Sequence, residues 1–242
     1  MHLLRITALL FLSLCVRVAV ADPDPIVILN TVGQPPLNTS DQTGFMDSVA
    51  KEVFRRIGYE LKTVSLPAER GLKNSNRGLI SGEMSRVKGL DKKYTNLIRV
   101  PEKIMDWEFV AFSYDSISLV GDWNDLSGKA VSHINGWKIL EKNIPSTAEI
   151  TKTGNADSLF NLLRKKRTDY AIYERWGGRY LLKKMSMPEV RVCKSPLATK
   201  EMFIYLHKKH KDIVPKLAEA LLAMKKDGSY QKLVIQHLKP LE

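Results

Sequence analysis

The residues best suited to recognising a small charged molecule are two arginines, two glutamates and one turn. Arg70, in Pro67-Ala68-Glu69-Arg70, and Arg86, in Gly82-Glu83-Met84-Ser85-Arg86, each carry a planar guanidinium that matches a carboxylate better than a lysine ammonium does. Each also has an acid nearby, so a surface ion pair with Glu69 or Glu83 is the competing role. Glu83 could equally select a cation. Glu174 ends the run Tyr170-Ala171-Ile172-Tyr173-Glu174, and open α/β sheets bind ligands at such carboxyl ends of strands. Its alternative is an exposed loop acid paired with Arg175. His133-Ile134-Asn135-Gly136-Trp137 reads as a strand-to-helix turn, where free N–H groups accept an anion and Gly136 allows close approach. Asn135, Gly136 and Trp137 are therefore candidates, with Trp137 divided between stacking on a ligand and capping a core.

Catalytic chemistry has little to stand on. Glu83 and Glu174 facing each other would make an acid and a base, but that is composition rather than a pattern. The chain has no Ser-His-Asp order, Gly-rich phosphate loop or Cys-x-x-Cys. His207 and His210 have a spacing that two metal ligands on a helix use, yet they fall where a strand gives way to a turn. The expectation is a non-enzyme without metal or cofactor.

The elements that must position these residues are those of an ordinary globular chain: 242 residues, 44% hydrophobic and 26% charged. Met1 to Arg5 is a basic start, Ile6 to Val16 is apolar, and Ala19-Val20-Ala21 offers small residues, so residues 1–21 read as a cleaved signal peptide and the mature chain begins at Asp22. The apolar run is too short to span a bilayer of about 30 Å. Cys15 faintly suggests a lipoprotein signal, against which stands the bulky Leu14. Cys193 is the one cysteine of the mature chain, so packing rather than an internal disulfide must hold the fold. The net charge of +12 attracts anions. Its runs, Arg164-Lys165-Lys166-Arg167 and Lys208-Lys209-His210-Lys211, fall at helix ends or turns and read as solvated faces, so no nucleic-acid partner is expected.

Ile26 to Leu29 reads as a buried strand closed by Gly33-Gln34-Pro35-Pro36. Met46, Val49, Ala50, Val53, Phe54 and Ile57 then fall at helical spacing before Gly58, and Glu60 to Leu66 follows as a strand, giving β-α-β with parallel pairing. A short helix from Ala68 to Asn74 precedes Leu79-Ile80, which leads back into the sheet, and Met105 to Phe112 reads as a long strand passing from one body to another. A second α/β series opens at Asp125 to Ser132, with a helix over Ala156 to Lys166, the strand Tyr170 to Tyr173, and strands over Val190 to Cys193 and Met202 to Leu206. Val214 to Lys226 closes the chain as a helix ending at Gly228. Two such units with two crossings predict two lobes around a cleft.

The order of these segments resembles the extracytoplasmic solute-binding proteins of family 3, the amino-acid-type binding proteins that feed ABC importers. The resemblance covers nearly all of the mature chain. It rests on Gln34-Pro35-Pro36-Leu37, Gly44-Phe45-Met46-Asp47, Gly58, Asp125-Leu126-Ser127-Gly128-Lys129, Thr168-Asp169-Tyr170-Ala171-Ile172-Tyr173-Glu174 and Ala223-Met224-Lys225-Lys226-Asp227-Gly228-Ser229-Tyr230. It implies an α/β fold of the two-lobed periplasmic-binding-protein type II, each lobe a mixed sheet flanked by helices, joined by two hinge strands. One lobe would hold residues 22–111 and 200–242 and the other 112–199, with crossings near Val110 to Ser113 and Pro196 to Met202. It further implies a periplasmic monomer that closes on a small polar, carboxylate-bearing or amino-acid-like ligand and meets a membrane permease. A sensory subunit is the rival role, and a dehydratase-like enzyme a more distant one.

In the family an arginine and helix-start N–H groups hold the carboxylate, and an acid of the second lobe holds the ammonium. That resemblance puts Glu174 in the role of the acid. The first lobe departs from the pattern: Leu37 stands at the usual aromatic position, and Leu90-Asp91-Lys92-Lys93-Tyr94 occupies the region of the usual Thr-x-x-Arg clamp. Arg70 and Arg86 are the substitutes. The expected site is Arg70, Arg86 and Glu174, with Gln34, Glu83, Asn135, Gly136 and Trp137 around them.

Overall fold

The structure, a computed structural model, describes residues 25–115 and 121–242; the expected signal segment at 1–21 lies outside them. Its elements are β1 (Ile26–Thr31), α1 (Phe45–Arg56), β2 (Glu60–Ser65), α2 (Ala68–Asn76), β3 (Gly82–Val87), β4 (Leu97–Ser113), β5 (Ala130–Ile134), α3 (Lys138–Asn143), β6 (Glu149–Thr153), α4 (Ala156–Arg164), β7 (Tyr170–Glu174), α5 (Arg175–Lys184), β8 (Arg191–Val192), β9 (Ala198–His207), α6 (Val214–Lys226) and α7 (Ser229–His237). The strands run β2-β1-β3-β9-β4-β7-β5-β6 across one hydrogen-bonded sheet, with β8 on β4.

Each end of that sheet is a parallel β-α-β unit: β1 lies between β2 and β3, and β5 between β6 and β7. The middle is antiparallel, and its two long strands belong to both lobes. Val100, Ile104 and Met105 of β4, with Met202, Ile204 and Leu206 of β9, enter the core under α1 and α6. Phe109 to Phe112 of β4 enter two further cores around α3, α4 and α5. Trp107 packs against both the first and the second of these cores, just before Val110 to Ser113, where the sequence suggested the first crossing. Alternation along a strand cannot tell one core from the next.

Helix α1 follows its pattern. Met46, Val49, Ala50, Val53 and Phe54 are fully buried, and Asp47 accepts hydrogen bonds from the N–H groups of Thr39 and Gly44 to close the helix start. Other expectations need correction. Leu79 and Ile80 form a turn after Gly78, with Leu79 well exposed, and β3 begins only at Gly82. β4 starts at Leu97, well before Met105, because Pro101 conceals it: the pairing with β9 shifts register between Arg99 and Lys103, where proline cannot donate to the ladder. The chain does not close at Gly228, whose left-handed backbone instead links α6 to α7.

Helix α5 packs in one second-lobe core and also contacts the first lobe. Trp176 reaches the first-lobe core, and Arg179 Nη1 donates to the carbonyls of Leu241 and Glu242 at 3.1 and 3.0 Å. No helix among the described residues is long and apolar enough to cross a membrane.

Candidate functional site

The site is built on β3. Glu83 and Arg86 stand three apart, a spacing that puts side chains on opposite faces of a regular strand. Here the pairing with β9 shifts register between them, and this irregularity returns Arg86 to the side of Glu83. Glu83 is 1% exposed, and its carboxylate is saturated. Asn30 Nδ2 donates to it at 3.0 Å, Ser75 Oγ at 2.7 Å, and Arg86 through Nε at 2.8 Å and Nη2 at 2.5 Å. Asn30 Oδ1 in turn accepts the N–H of Leu66, so one buried network fixes the ends of β1, β2 and β3. Arg86 Nη2 also donates to the Ala68 carbonyl, whereas Nη1 has no partner among the described residues.

At these strand ends lies a cavity of about 730 Å³ lined by Gln34, Leu66, Ser85, Arg86, Trp107 and Trp137, among others. A second cavity of about 590 Å³ adjoins it, shares Val87, Trp107, Trp137 and Met202, and adds Lys88, Phe109, Lys138, Lys200 and Glu201. Val32 to Arg86 come from the first lobe and Trp137 to Ile139 from the second, so the two cavities form one cleft between the lobes at the carboxyl ends of parallel strands. Ser85 and Trp107 line it, yet Ser85 Oγ and Trp107 Nε1 are themselves shielded from the open space and have no hydrogen-bond partner among the described residues. Such orphaned groups are costly unless something polar meets them.

Of the expected site residues, Arg86, Gln34 and Trp137 are brought together. Trp137 stacks on Tyr173 at 4.9 Å, meets Phe109 edge-on at 5.5 Å, and lines both cavities. The others lie elsewhere. Arg70 is exposed on α2, makes no hydrogen bond or ion pair among the described residues and lines neither cavity. Glu83 sits behind Arg86 and holds it. The N–H of Gly136 is spent on Glu141 Oε1 at 3.1 Å and that of Asn135 on the Thr153 carbonyl at 2.9 Å, so the turn offers an anion neither donor. Both residues are exposed and line neither cavity.

Glu174 is the largest departure. It is 3% exposed and caps α5, accepting the N–H of Trp176 at 3.0 Å and of Gly177 at 2.7 Å. It is not paired with Arg175, whose Nε donates to Glu108 at 2.5 Å. Burial raises the Glu174 carboxyl from 4.5 to about 7 against the pull of those two N–H groups. The folded state therefore holds this proton more tightly than the unfolded chain. Its contribution to stability is full below about pH 4.5 and is lost as pH rises through about 7. Glu174→Gln is expected to remove that slope, worth roughly 3 kcal/mol; urea unfolding at pH 4.5 and pH 8 checks it, and an unchanged pH dependence in the variant refutes it.

Ser85, Trp107, Lys88 and Lys200 went unforeseen as cleft residues. Trp107 had a usable signal, an aromatic residue on the strand read as passing between bodies. Ser85 had none, because the register shift decides which way it faces.

No protein-family model matches the chain. An uncharacterised protein of Shewanella oneidensis is 25% identical over 186 residues, 73% of this chain and 69% of that one. Among solved structures, the ligand-binding core of GluR0 in complex with L-glutamate superposes with a TM-score of 0.74 at 14% identity, covering 88% of this chain and 98% of that one. The amino acid ABC transporter substrate-binding protein AbpA of Streptococcus pneumoniae, bound to L-arginine, does so at 0.70 and 15%, covering 89% and 95%. The ancestral amino-acid-binding protein AncCDT-1, a precursor of cyclohexadienyl dehydratase, gives 0.68 and 17%, covering 88% and 95%. At these identities the likeness speaks for architecture: the chain has the two-lobed α/β fold shared with the amino-acid substrate-binding proteins of ABC transporters.

Proposed function

We propose that this is an exported solute-binding protein that captures a small carboxylate-bearing molecule between its lobes and delivers it to the permease of an ABC importer. The observation that carries this reading is the Arg86 guanidinium, held from behind by a saturated, buried Glu83 while its Nη1 remains open beside the interlobe cavity. Pre-organisation of this kind lowers the ordering cost of binding. Gln34 supplies an adjacent polar side chain, and Trp107 and Trp137 supply apolar walls. The β4–β9 ladder near Trp107 and Lys200 is the hinge about which the lobes close.

The acids favour binding over catalysis. Glu83 and Glu174, the pair an acid–base mechanism would draw on, are both buried in structural hydrogen bonds, and neither lines the cleft.

The test is Arg86→Lys, which keeps a cation against Glu83 but loses the planar fork. Solute affinity is expected to fall at least about tenfold with stability largely retained. Native mass spectrometry identifies the solute retained on purification, and calorimetry compares the two proteins for it. Full affinity in the variant would overturn the assignment of Arg86.

A further inference from the structure

The charges around the cleft say which carboxylates it accepts. Among the described residues lining either cavity, Glu201 is the only acid, and Lys103 engages it at 3.3 Å. The cations are Arg86, Lys88, Lys138 and Lys200. Glu83 balances Arg86, and Glu141 balances Lys138 at 2.7 Å. Lys88 and Lys200 have no hydrogen-bond or ion-pair partner among the described residues. The one second-lobe acid at a strand end, Glu174, is turned into α5 and engaged by two backbone N–H groups. An ammonium group in this cleft would meet two unpaired lysines against one carboxylate, that of Glu201, which already shares Lys103 with Asp106, so repulsion outweighs attraction at the separations a cleft imposes.

The walls point the same way. Lys200 is the cross-strand partner of Trp107, so cation and indole stand side by side on the ladder. Trp107, Phe109 and Trp137 form an aromatic wall continued by Leu66, Val87 and Met202. We infer that the cleft takes an organic carboxylate with an aromatic or other flat apolar body and no ammonium next to the carboxylate. This inference rests on the solute-binding reading above and narrows it.

Matched pairs test it. 3-Phenylpropionate and L-phenylalanine share ring, chain and carboxylate and differ in the α-ammonium; indole-3-propionate and L-tryptophan repeat the comparison. For calorimetric titration of the full mature chain at low salt, the expected result is at least about tenfold tighter binding of the acid in each pair. The double variant Lys88→Gln, Lys200→Gln should weaken the acids severalfold and narrow the gap. Equal or tighter binding of the amino acid overturns the inference and leaves solute capture standing. Failure of both acids to bind overturns it as well. A parallel titration with a pool of the standard L-amino acids, followed by tryptophan fluorescence, then separates the cases: a response keeps the solute-binding reading, and silence there and in both pairs removes that reading too.

Discussion

Glu83→Ala is expected to destabilise the protein by about 3–5 kcal/mol and to abolish solute capture with it. Glu83 neutralises an Arg86 side chain that is only 12% exposed, and it accepts four hydrogen bonds from three residues. Its loss strands a guanidinium and an amide in a nearly dry place, while the Ser75 hydroxyl keeps the Gly82 carbonyl at 3.0 Å; an unpaired buried charge is far costlier than an absent pair. Gly71 leaves little room for repair, because a Cβ there would already stand 2.1 Å from Asn30 Nδ2, so α2 is packed hard against the network. Adding Arg86→Met to Glu83→Ala should return much of the stability without returning affinity. Equilibrium unfolding of the single and double variants measures both; a single variant within 1 kcal/mol of wild type would show that Glu83 does not hold this region together.

The second large effect belongs to the other lobe. Gly178→Ala is expected to cost about 3 kcal/mol or more, because the added methyl would sit 2.0 Å from Phe112 Cζ. That ring is fully buried and already packs edge-on against Phe160 at 5.1 Å, so it has nowhere to go. Gly154→Ala is the control: nothing stands within 4 Å of the new methyl, and a change within about 0.5 kcal/mol is expected. Thermal unfolding of both proteins decides it, and equal midpoints would contradict the close packing of α5 on β4.

The same glycine explains part of what the sequence concealed. Arg175-Trp176-Gly177-Gly178 looks like a loop because glycine is a poor helix former, yet both glycines are there so that α5 can approach Tyr173 and Phe112. β6 was hidden for another reason. It is an edge strand exposed along most of its length, so it carries no alternation to read. Helix α7 buries none of its residues fully, and only the short stripe Tyr230, Leu233 and Val234 meets the first core. By contrast α1 and α6 each press one face on the first core and were legible almost to the residue.

The site was legible by type more than by place. Arg86, Trp137 and Gln34 line the cleft; the first two were picked out for conspicuous chemistry and Gln34 through the opening-loop segment that carries the resemblance. Glu174 misled because a carboxylate at the end of a strand looks the same in sequence whether it faces a ligand or caps the following helix. Glu83 was placed in the cleft rather than behind it, since a single register shift reverses which face each residue serves.

The tether formed by Trp176 and Arg179 has a mechanical consequence. With α5 fastened to the first lobe at these two points, closure about the β4–β9 ladder proposed above would be steered into a swing, and sliding of one lobe over the other would be resisted. Trp107 sits on that ladder, so its share of a solute's seat would keep its place through the swing.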